Sequence, residues 1–429
     1  MMHLPAAMMP TAGALPRRCY LSKPLLALLA FASLSRDSEG LVIRSGLSNS
    51  TNSTEGIAYF STPNFGPAPN ATATTAHLTG AAALNASSSF STTNSSSQSR
   101  APRVYFMFLA VDKVSNLDVW KAFFAAAPPS QYKAFVHCKL PSCQQQVAGS
   151  VMQAVHTVPS YYCTDLVSPM QQMVYYALQD PDGPANPYDK FAFVSDSSLP
   201  AKPFSHVYST LSSRLGSDFC IFPSGEWADV PSSSGYGLEI AVKSHQWVTL
   251  NRAHAEKSWE LWRTGTLHNF MPYFRMNTIP MLPSNNSYAD QRNYGCLDEF
   301  WYMIALFGTL HQPNAQQAQD VHLPLFTGST MHISNNAGWQ GECDTFVLWS
   351  KYLYTWGNNP FNSFYSTLDA ASTPHGGNFA RPGWWDTIST HGLRAIRHSP
   401  FLFVRKFIDN PRLADGPNFV QAYVDSVLW

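Results

Sequence analysis

Charge is scarce in this sequence. Only 13% of the 429 residues are Asp, Glu, Lys or Arg, and 27 basic and 27 acidic residues give a formal net charge of zero. Proteins that bind nucleic acid or anionic membrane surfaces need a surplus of basic residues to neutralise phosphates. We therefore expect no nucleic-acid partner.

Several catalytic motifs are also missing. The sequence contains no H-E-x-x-H, no C-x-x-C, no G-x-S-x-G, no P-loop and no dinucleotide-binding glycine motif. Its 14 histidines are scattered and form no close group with acidic residues in the sequence. These absences leave a zinc site, a serine hydrolase, a nucleotide triphosphatase and a dehydrogenase without a supporting motif.

A long apolar run is missing too. Near the N-terminus the run Pro24–Leu34 follows the basic residues Arg17, Arg18 and Lys23, whereas about 20 apolar residues are needed to cross a bilayer. A short apolar run after a basic flank is typical of a signal peptide. Residues 1–35 are therefore predicted to be a signal peptide or a short signal-anchor, and the rest of the chain is expected to enter the secretory pathway.

Residues 36–100 are predicted to be a disordered, glycosylated stalk. They are rich in Ser, Thr, Asn and Ala and show no helical or strand period. Asn-x-Ser/Thr sequons, the acceptor sites for N-linked glycans, occur at Asn49, Asn52, Asn70, Asn85 and Asn94, and a sixth lies further along at Asn285. Clustering of this kind indicates glycosylation, and the alternative is simple low complexity.

The cysteines agree with an oxidising compartment. One of the seven lies in the predicted leader, and six remain at 138, 143, 163, 220, 296 and 343. Six cysteines allow up to three disulfides in about fifteen alternative pairings. The sequence does not select among these pairings.

The remaining residues, 101–429, have an α/β pattern. The continuous apolar run at 104–111 is typical of a strand buried on both faces, and 132–138 and 190–194 are predicted to be the next two strands. Helical patterns lie between them, and the second, 168–180, offers Ser168 as an N-cap. Strand and helix therefore alternate, which predicts a mostly parallel sheet flanked by helices. Functional residues in such sheets collect where the strands end.

Asp196 lies at such a strand end, in the stretch KFAFVSDSSLP. Many sugar-nucleotide enzymes hold a metal at this position with two carboxylates, written Asp-x-Asp. Only one carboxylate is present here, and one carboxylate leaves most of the coordination of a divalent ion unmet. Three interpretations of Asp196 follow: it is a metal ligand, it contacts a sugar nucleotide, or it is part of a polar turn.

Two further stretches carry candidate chemistry. Glu299, in CLDEFWY, is either a general base or a carboxylate that stabilises a helix start. Asp298 beside it is expected to point elsewhere, since neighbours on a helix diverge. Arg405 and Lys406 follow the apolar run FLFV and would suit a diphosphate, although a basic pair at a strand end is also a common solvated feature. Further basic residues precede them at Arg381, Arg394 and Arg397.

Together these stretches resemble the core-2/I-branching β-1,6-N-acetylglucosaminyltransferase family, and its plant-type branch in particular. The resemblance covers residues 103–407 and rests on RVYFMFLAVDKVSNLDVWKAFF, YKAFVHC, KFAFVSDSSLPAKPFSHVYSTL, KSHQWVTLNRAHA, CLDEFWYMIAL and FLFVRKF. It implies a GT-A-like glycosyltransferase fold, with a Rossmann-like, mostly parallel sheet, as the lumenal catalytic domain 101–429. It also implies type II membrane topology in the Golgi.

The activity that the resemblance implies is inverting sugar transfer without a metal cofactor. The donor would be a UDP-sugar, with UDP-GlcNAc expected, although relatives in the family use UDP-xylose or UDP-glucuronic acid. The acceptor would be a glycan or a glycoprotein, joined through a β-1,6 branch.

The resemblance also assigns roles to single residues. Glu299 would be the catalytic base. Lys406, next to Arg405, would hold the diphosphate with a second basic residue, either Arg381 or Arg394.

The uridine would lie near two strand ends, at Val111 and His137. Asp196 would order its turn or touch the donor sugar or ribose. The sequence departs from the family after the second strand, where Cys138 and Lys139 replace the acidic residue that is often found there.

Two other functions remain open at this stage. One is a glycan-binding protein built on a degenerate transferase fold, which the altered residues after His137 would allow. The other is a metal-dependent transferase in which Asp196 does hold a cation.

Overall fold

The computed structural model describes residues 100–182, 184–222, 227–231, 238–266, 296–311, 320–324, 330–334, 343–348, 360–376 and 382–429. The predicted leader, the predicted stalk, all six sequons and Arg381 lie outside the described residues. Among those that are described, no helix has the length and hydropathy needed to cross a membrane.

The strands are β1 (Val104–Ala110), β2 (Tyr132–Cys138), β3 (Met152–Ala154), β4 (Lys190–Ser195), β5 (Leu199–Pro200), β6 (Ala228–Pro231), β7 (Leu238–Ala241), β8 (Thr249–Asn251), β9 (Leu310–His311), β10 (Asp320–Pro324), β11 (Thr330–Ser334), β12 (Thr345–Val347), β13 (Trp385–Ile388), β14 (Phe403–Arg405) and β15 (Phe407–Leu413). The α-helices are α1 (Leu117–Ala125), α2 (Pro141–Val147), α3 (Val167–Leu178), α4 (Phe204–Ser212), α5 (Arg252–Thr264), α6 (Leu297–Phe307), α7 (Pro360–Tyr365), α8 (Thr390–His398) and α9 (Phe419–Tyr423). Single turns of 3-10 and π-helix occur at Ala370–Ser372 and Val424–Leu428.

The central sheet has five strands in the order β3-β2-β1-β4-β8. The first four run parallel, and β8 pairs antiparallel with β4. The prediction of an α/β fold with a mostly parallel sheet is confirmed at this level. The carboxyl ends of β1, β2 and β4 therefore meet at one edge of the sheet.

Strand β1 shows why the apolar runs are continuous. Its side chains alternate between two hydrophobic cores, with Phe106 and Phe108 on one face and Tyr105 and Met107 on the other. On the first face Trp120 of α1 packs edge-on against Phe108, with ring centroids 4.8 Å apart. Because both faces are covered by helices, polar alternation would place polar groups in a core, and the strand is apolar throughout.

Helix α3 begins differently from the prediction. The expected N-cap, Ser168, lies inside the first turn, and Asp165 accepts from both the Ser168 amide (3.0 Å) and the Ser168 hydroxyl (2.9 Å). The prediction of Ser168 as cap is wrong because an aspartate three residues earlier satisfies the free amide instead.

Three disulfides select one pairing from those that the sequence allowed. They join Cys138 to Cys143, Cys163 to Cys296, and Cys220 to Cys343. Three disulfides fit a protein of the secretory pathway.

Candidate active site

Asp196 follows β4 at the carboxyl edge of the sheet. Its amide donates to the Leu109 carbonyl (3.0 Å), and its own carbonyl accepts from the Ser115 amide (2.8 Å), so the backbone is fixed against the end of β1. The carboxylate accepts from the Ser195 hydroxyl at 2.9 Å, and the Ser197 amide donates to that hydroxyl at 3.1 Å. Asp196 therefore orders its turn while remaining partly accessible.

Arg405 is the last residue of β14, which pairs with β12 on one side and β5 on the other. Its side chain is buried, and the guanidinium lies 4.6 Å from the centroid of the Trp247 ring. Burial lowers the pKa of Arg405 to about 10, and the negative charge of Asp196 acts in the opposite direction. Within the described part of the chain the Nε of Arg405 has no hydrogen-bond partner, so this buried cation retains an unused donor.

Lys406 differs from its neighbour. Its side chain is exposed, while its carbonyl accepts from the Trp385 amide at 2.7 Å. Arg405 ends β14, whereas Lys406 lies between β14 and β15 and belongs to neither strand. The predicted basic pair is therefore divided into one buried cation and one exposed cation.

Glu299 lies in the first turn of α6, at the third helical position after the N-cap Cys296. Its Oε2 accepts from the Cys296 amide at 3.0 Å and lies 3.4 Å from the Nζ of Lys243. The side chain is only 9% exposed. Because the N-cap is also joined to Cys163 by a disulfide, the start of α6 and its carboxylate are held in one position.

His245 lies close enough to Arg405 and Lys243 for both charges to act on it. Burial, together with these two positive charges, lowers the pKa of His245 to about 3. The ring packs 4.9 Å from that of Phe222, which also lies 4.6 Å from the Nζ of Lys243. We use the name candidate cluster for Asp196, Lys243, His245, Glu299 and Arg405.

Lys243 and His245 were missed at the sequence level, although they lie in a stretch, KSHQWV, that carried the family resemblance. Lys243, His245 and Trp247 occupy alternate positions, and all three contribute to the candidate cluster or its packing. Alternation of a lysine, a histidine and a tryptophan was the signal that could have identified them, because alternate residues of an extended segment share a side.

Asp298 is more deeply buried than Glu299, with an exposed fraction of 1%. Neither of its carboxyl oxygens has a hydrogen-bond partner among the residues that the structure describes. Burial raises the pKa of Asp298 to about 8, and the charge of Glu299 adds to that effect. The two adjacent acids therefore have different environments, as expected for neighbours on a helix.

The two residues predicted near a uridine lie at strand ends but differ in access. Val111, directly after β1, is 50% exposed. His137 is buried, and its Nε2 accepts from the Val158 amide at 3.0 Å. Burial lowers the pKa of His137 to about 4, so this ring is neutral and anchors the segment after β3.

Arg394, one of two candidates for the second diphosphate contact, lies on the exposed side of α8. It lines a groove with Phe364 of α7 and with His391 and His398 of its own helix. That groove contains no residue of the candidate cluster. The structure therefore brings Arg405 to the cluster, but it does not bring Arg394 there.

The described residues contain no group of three or more His, Cys, Asp or Glu side chains arranged to hold a metal ion. Comparison with models of known protein families finds no family that matches the chain, and comparison with curated proteins finds no match.

Proposed function

We propose that this protein is an inverting glycosyltransferase that moves a sugar from a UDP-sugar to a hydroxyl of a glycan or glycoprotein acceptor. The observation that carries the proposal is a buried, fixed carboxylate, Glu299, held beside Lys243, in the same candidate cluster as a buried cation, Arg405; Lys243 and Arg405 both act on His245. The position of Asp196 and Val111 at the carboxyl edge of a parallel sheet supports the proposal, because nucleotides bind at this edge in α/β folds.

In the proposed reaction Glu299 accepts the proton of the acceptor hydroxyl. The acceptor oxygen forms a bond to the anomeric carbon, and the bond from that carbon to the diphosphate oxygen breaks on the opposite side. The electron pair leaves with UDP. Arg405 and Lys406 stabilise the charge that develops on the diphosphate, so a protein cation serves where other transferases use a metal.

UDP-GlcNAc is the donor that we propose, with transfer to a β-1,6 branch point in the Golgi lumen. This assignment rests on the motif resemblance. A screen of UDP-GlcNAc, UDP-xylose and UDP-glucuronic acid, by hydrolysis and by protection against thermal unfolding, would identify the donor.

The first test removes the proposed base. Glu299→Gln keeps the shape of the side chain but cannot accept a proton, so we expect transfer to fall by about 100-fold to 10,000-fold. UDP binding, measured by calorimetry in the presence of a chelator, should be unchanged. Glu260→Gln, a change at an exposed glutamate of α5, is the matched control and should behave as wild type.

Two outcomes would contradict the proposal. Full transfer by Glu299→Gln would remove Glu299 from its role as base. If activity disappears in chelator and returns with manganese, a metal ion stabilises the departing diphosphate in place of Arg405 and Lys406. Asp196 would then be a ligand of that metal.

A second candidate function is glycan binding without transfer. Tyr161 and Tyr162 are 60% and 71% exposed, and the Nζ of Lys139 lies 5.7 Å from the Tyr161 ring centroid. Exposed aromatic rings on a fixed segment are suited to stacking on sugars. Glycan binding in calorimetry, together with no affinity for UDP, would favour this function over the transferase.

A further inference from the structure

Asp298 is a buried acid for which the proposed chemistry has no role. It occupies the second position of α6, one residue before Glu299, and is almost completely buried. Both carboxyl oxygens lack a hydrogen-bond partner within the described ranges. An ionised carboxylate in that position would be costly, because a buried charge needs a partner or several hydrogen bonds.

The charged and titratable neighbours of Asp298 come from three elements. Glu299 and Tyr302 belong to its own helix, Asp165 precedes α3, and Lys243 follows β7. Burial has the largest effect on the Asp298 pKa, and the charges of Glu299 and Asp165 raise it further, while Lys243 opposes them. Asp165 is already engaged as the acceptor for the first turn of α3.

Lys243 is the cation that the described residues bring to both acids of α6. Its Nζ lies 3.4 Å from Oε2 of Glu299, and its charge also acts on Asp298. If both acids were ionised, two carboxylates would share this ammonium. If Asp298 is neutral, it does not compete with Glu299 for this ammonium.

We propose that Asp298 is a positioning residue, held as a neutral carboxylic acid so that Lys243 stays with Glu299 and the Glu299 carboxylate keeps its place at the start of α6. The neutral state follows from the surroundings of Asp298 alone. Its importance for catalysis rests on the proposed function, because Glu299 must be the group that reacts.

Ionisation of Asp298 would disturb Glu299 in two ways. A second negative charge would repel the Glu299 carboxylate, and it would also compete for Lys243. Either effect would displace Glu299 from the Cys296 amide and from the proposed acceptor position. We therefore expect transfer to fall as Asp298 loses its proton.

The first experiment measures the pH profile of transfer between pH 6 and pH 9. An acid with a pKa of about 8 is only about one-tenth protonated one unit above it, so wild-type kcat at pH 9 should be about one-tenth of its plateau. Asp298→Asn is neutral at every pH and should keep its plateau rate at pH 9.

Asp118→Asn is the matched control. Asp118 occupies the same second position of α1, also directly after a leucine, but its side chain is 70% exposed. In Asp118→Asn the transfer rate should decrease toward pH 9 as it does in wild type. The proposal would be overturned if the wild-type transfer rate stayed constant up to pH 9. It would also be overturned if the rate of Asp298→Asn decreased toward pH 9 as in wild type.

The second experiment needs no substrate. Infrared spectroscopy should show the carbonyl band of a protonated carboxylic acid at pH 7, with a loss of intensity as the pH passes 8. Asp344 is a second acid, and burial raises its pKa to about 8, so it would contribute to the same infrared band. The Asp344→Asn variant removes that contribution and leaves the contribution of Asp298. Absence of any such band in Asp344→Asn at pH 7 would overturn the inference even if Asp298→Asn failed to fold.

The two experiments separate the inference from the proposed function. A protonated Asp298 in a protein that transfers no sugar would contradict the transferase and leave the neutral acid in place. Sugar transfer by a protein whose Asp298 is ionised at pH 7 would support the transferase and contradict the neutral acid.

Discussion

The two edges of the central sheet differ in how their buried carboxylates are paired. At the edge where the parallel strands begin, two buried carboxylates each contact two basic side chains. Asp189 contacts the guanidinium groups of Arg100 and Arg252, and Asp180 contacts Arg103 and Lys133. At the edge where the strands end, the described residues supply fewer partners to Arg405, Glu299 and Asp298.

The carboxyl edge shows this in three groups. Among the described residues, the Nε of Arg405 has no hydrogen-bond partner, and the Glu299 carboxylate lies 3.4 Å from the Lys243 ammonium. Burial raises the pKa of Asp298 to about 8. A group that already has all its partners gains little from a ligand, whereas an incompletely satisfied group does gain. We therefore expect the amino edge to stabilise the fold, and under the proposed function we expect the carboxyl edge to bind the UDP-sugar.

The largest effect on stability is expected at the amino edge. Asp189→Asn removes the carboxylate that Arg252 and Arg100 contact at 2.8 Å and 2.7 Å, and it leaves two cations inadequately paired. Loss of one partner of a buried ion pair costs about 3–5 kcal/mol. Denaturant unfolding should show a decrease of that size, while UDP affinity of the folded protein stays the same.

The control for this change is Asp182→Asn, because Asp182 is 56% exposed and contacts Lys133 at 2.7 Å. Exposed pairs contribute about 1 kcal/mol or less. An Asp189→Asn variant as stable as Asp182→Asn would mean that the amino edge does not stabilise the fold in the way inferred.

The strands of the sheet could be predicted from the sequence, and the reason is their burial. Val104, Phe106 and Phe108 follow one another with apolar residues between them, which is the pattern of a strand covered on both faces. The end of the run at Ser195 also located Asp196 at the carboxyl edge.

The candidate cluster could be predicted only in part. Glu299 was identifiable from its motif, whereas Lys243 and His245 lie in an extended segment between β7 and β8 and approach α6 only in three dimensions. The disulfide pairing could not be predicted either, because partners such as Cys163 and Cys296 are 133 residues apart and meet only in three dimensions. Pairings of this kind depend on the path of the chain, which local patterns do not contain.

At the carboxyl edge the larger effect is expected from Arg405. Arg405→Gln removes a buried cation beside Asp196 and Trp247, while a glutamine still fills part of the space. Hydrogen bonds to a charged group contribute about 1.5–3 kcal/mol, so we expect UDP affinity to fall about 10-fold to 100-fold in calorimetry. Arg394→Gln, on the exposed side of α8, is the control and should bind UDP as wild type does.

The two results distinguish the sites of diphosphate binding. Unchanged UDP affinity in Arg405→Gln would exclude the candidate cluster as the diphosphate site. A loss in Arg394→Gln instead would transfer that role to the groove of α7 and α8.

The smallest effect is expected from Lys406, whose ammonium is exposed although the motif resemblance gave it the leading role. Lys406→Met keeps the length of the side chain and removes its charge. An exposed charge interaction is worth about 1 kcal/mol or less, so UDP affinity should fall by about fivefold or less. Salt screens exposed charges much more than buried ones, so this loss should shrink as ionic strength rises, while the loss in Arg405→Gln persists. A greater loss from Lys406→Met than from Arg405→Gln would mean that the exposed cation, and not the buried one, holds the diphosphate.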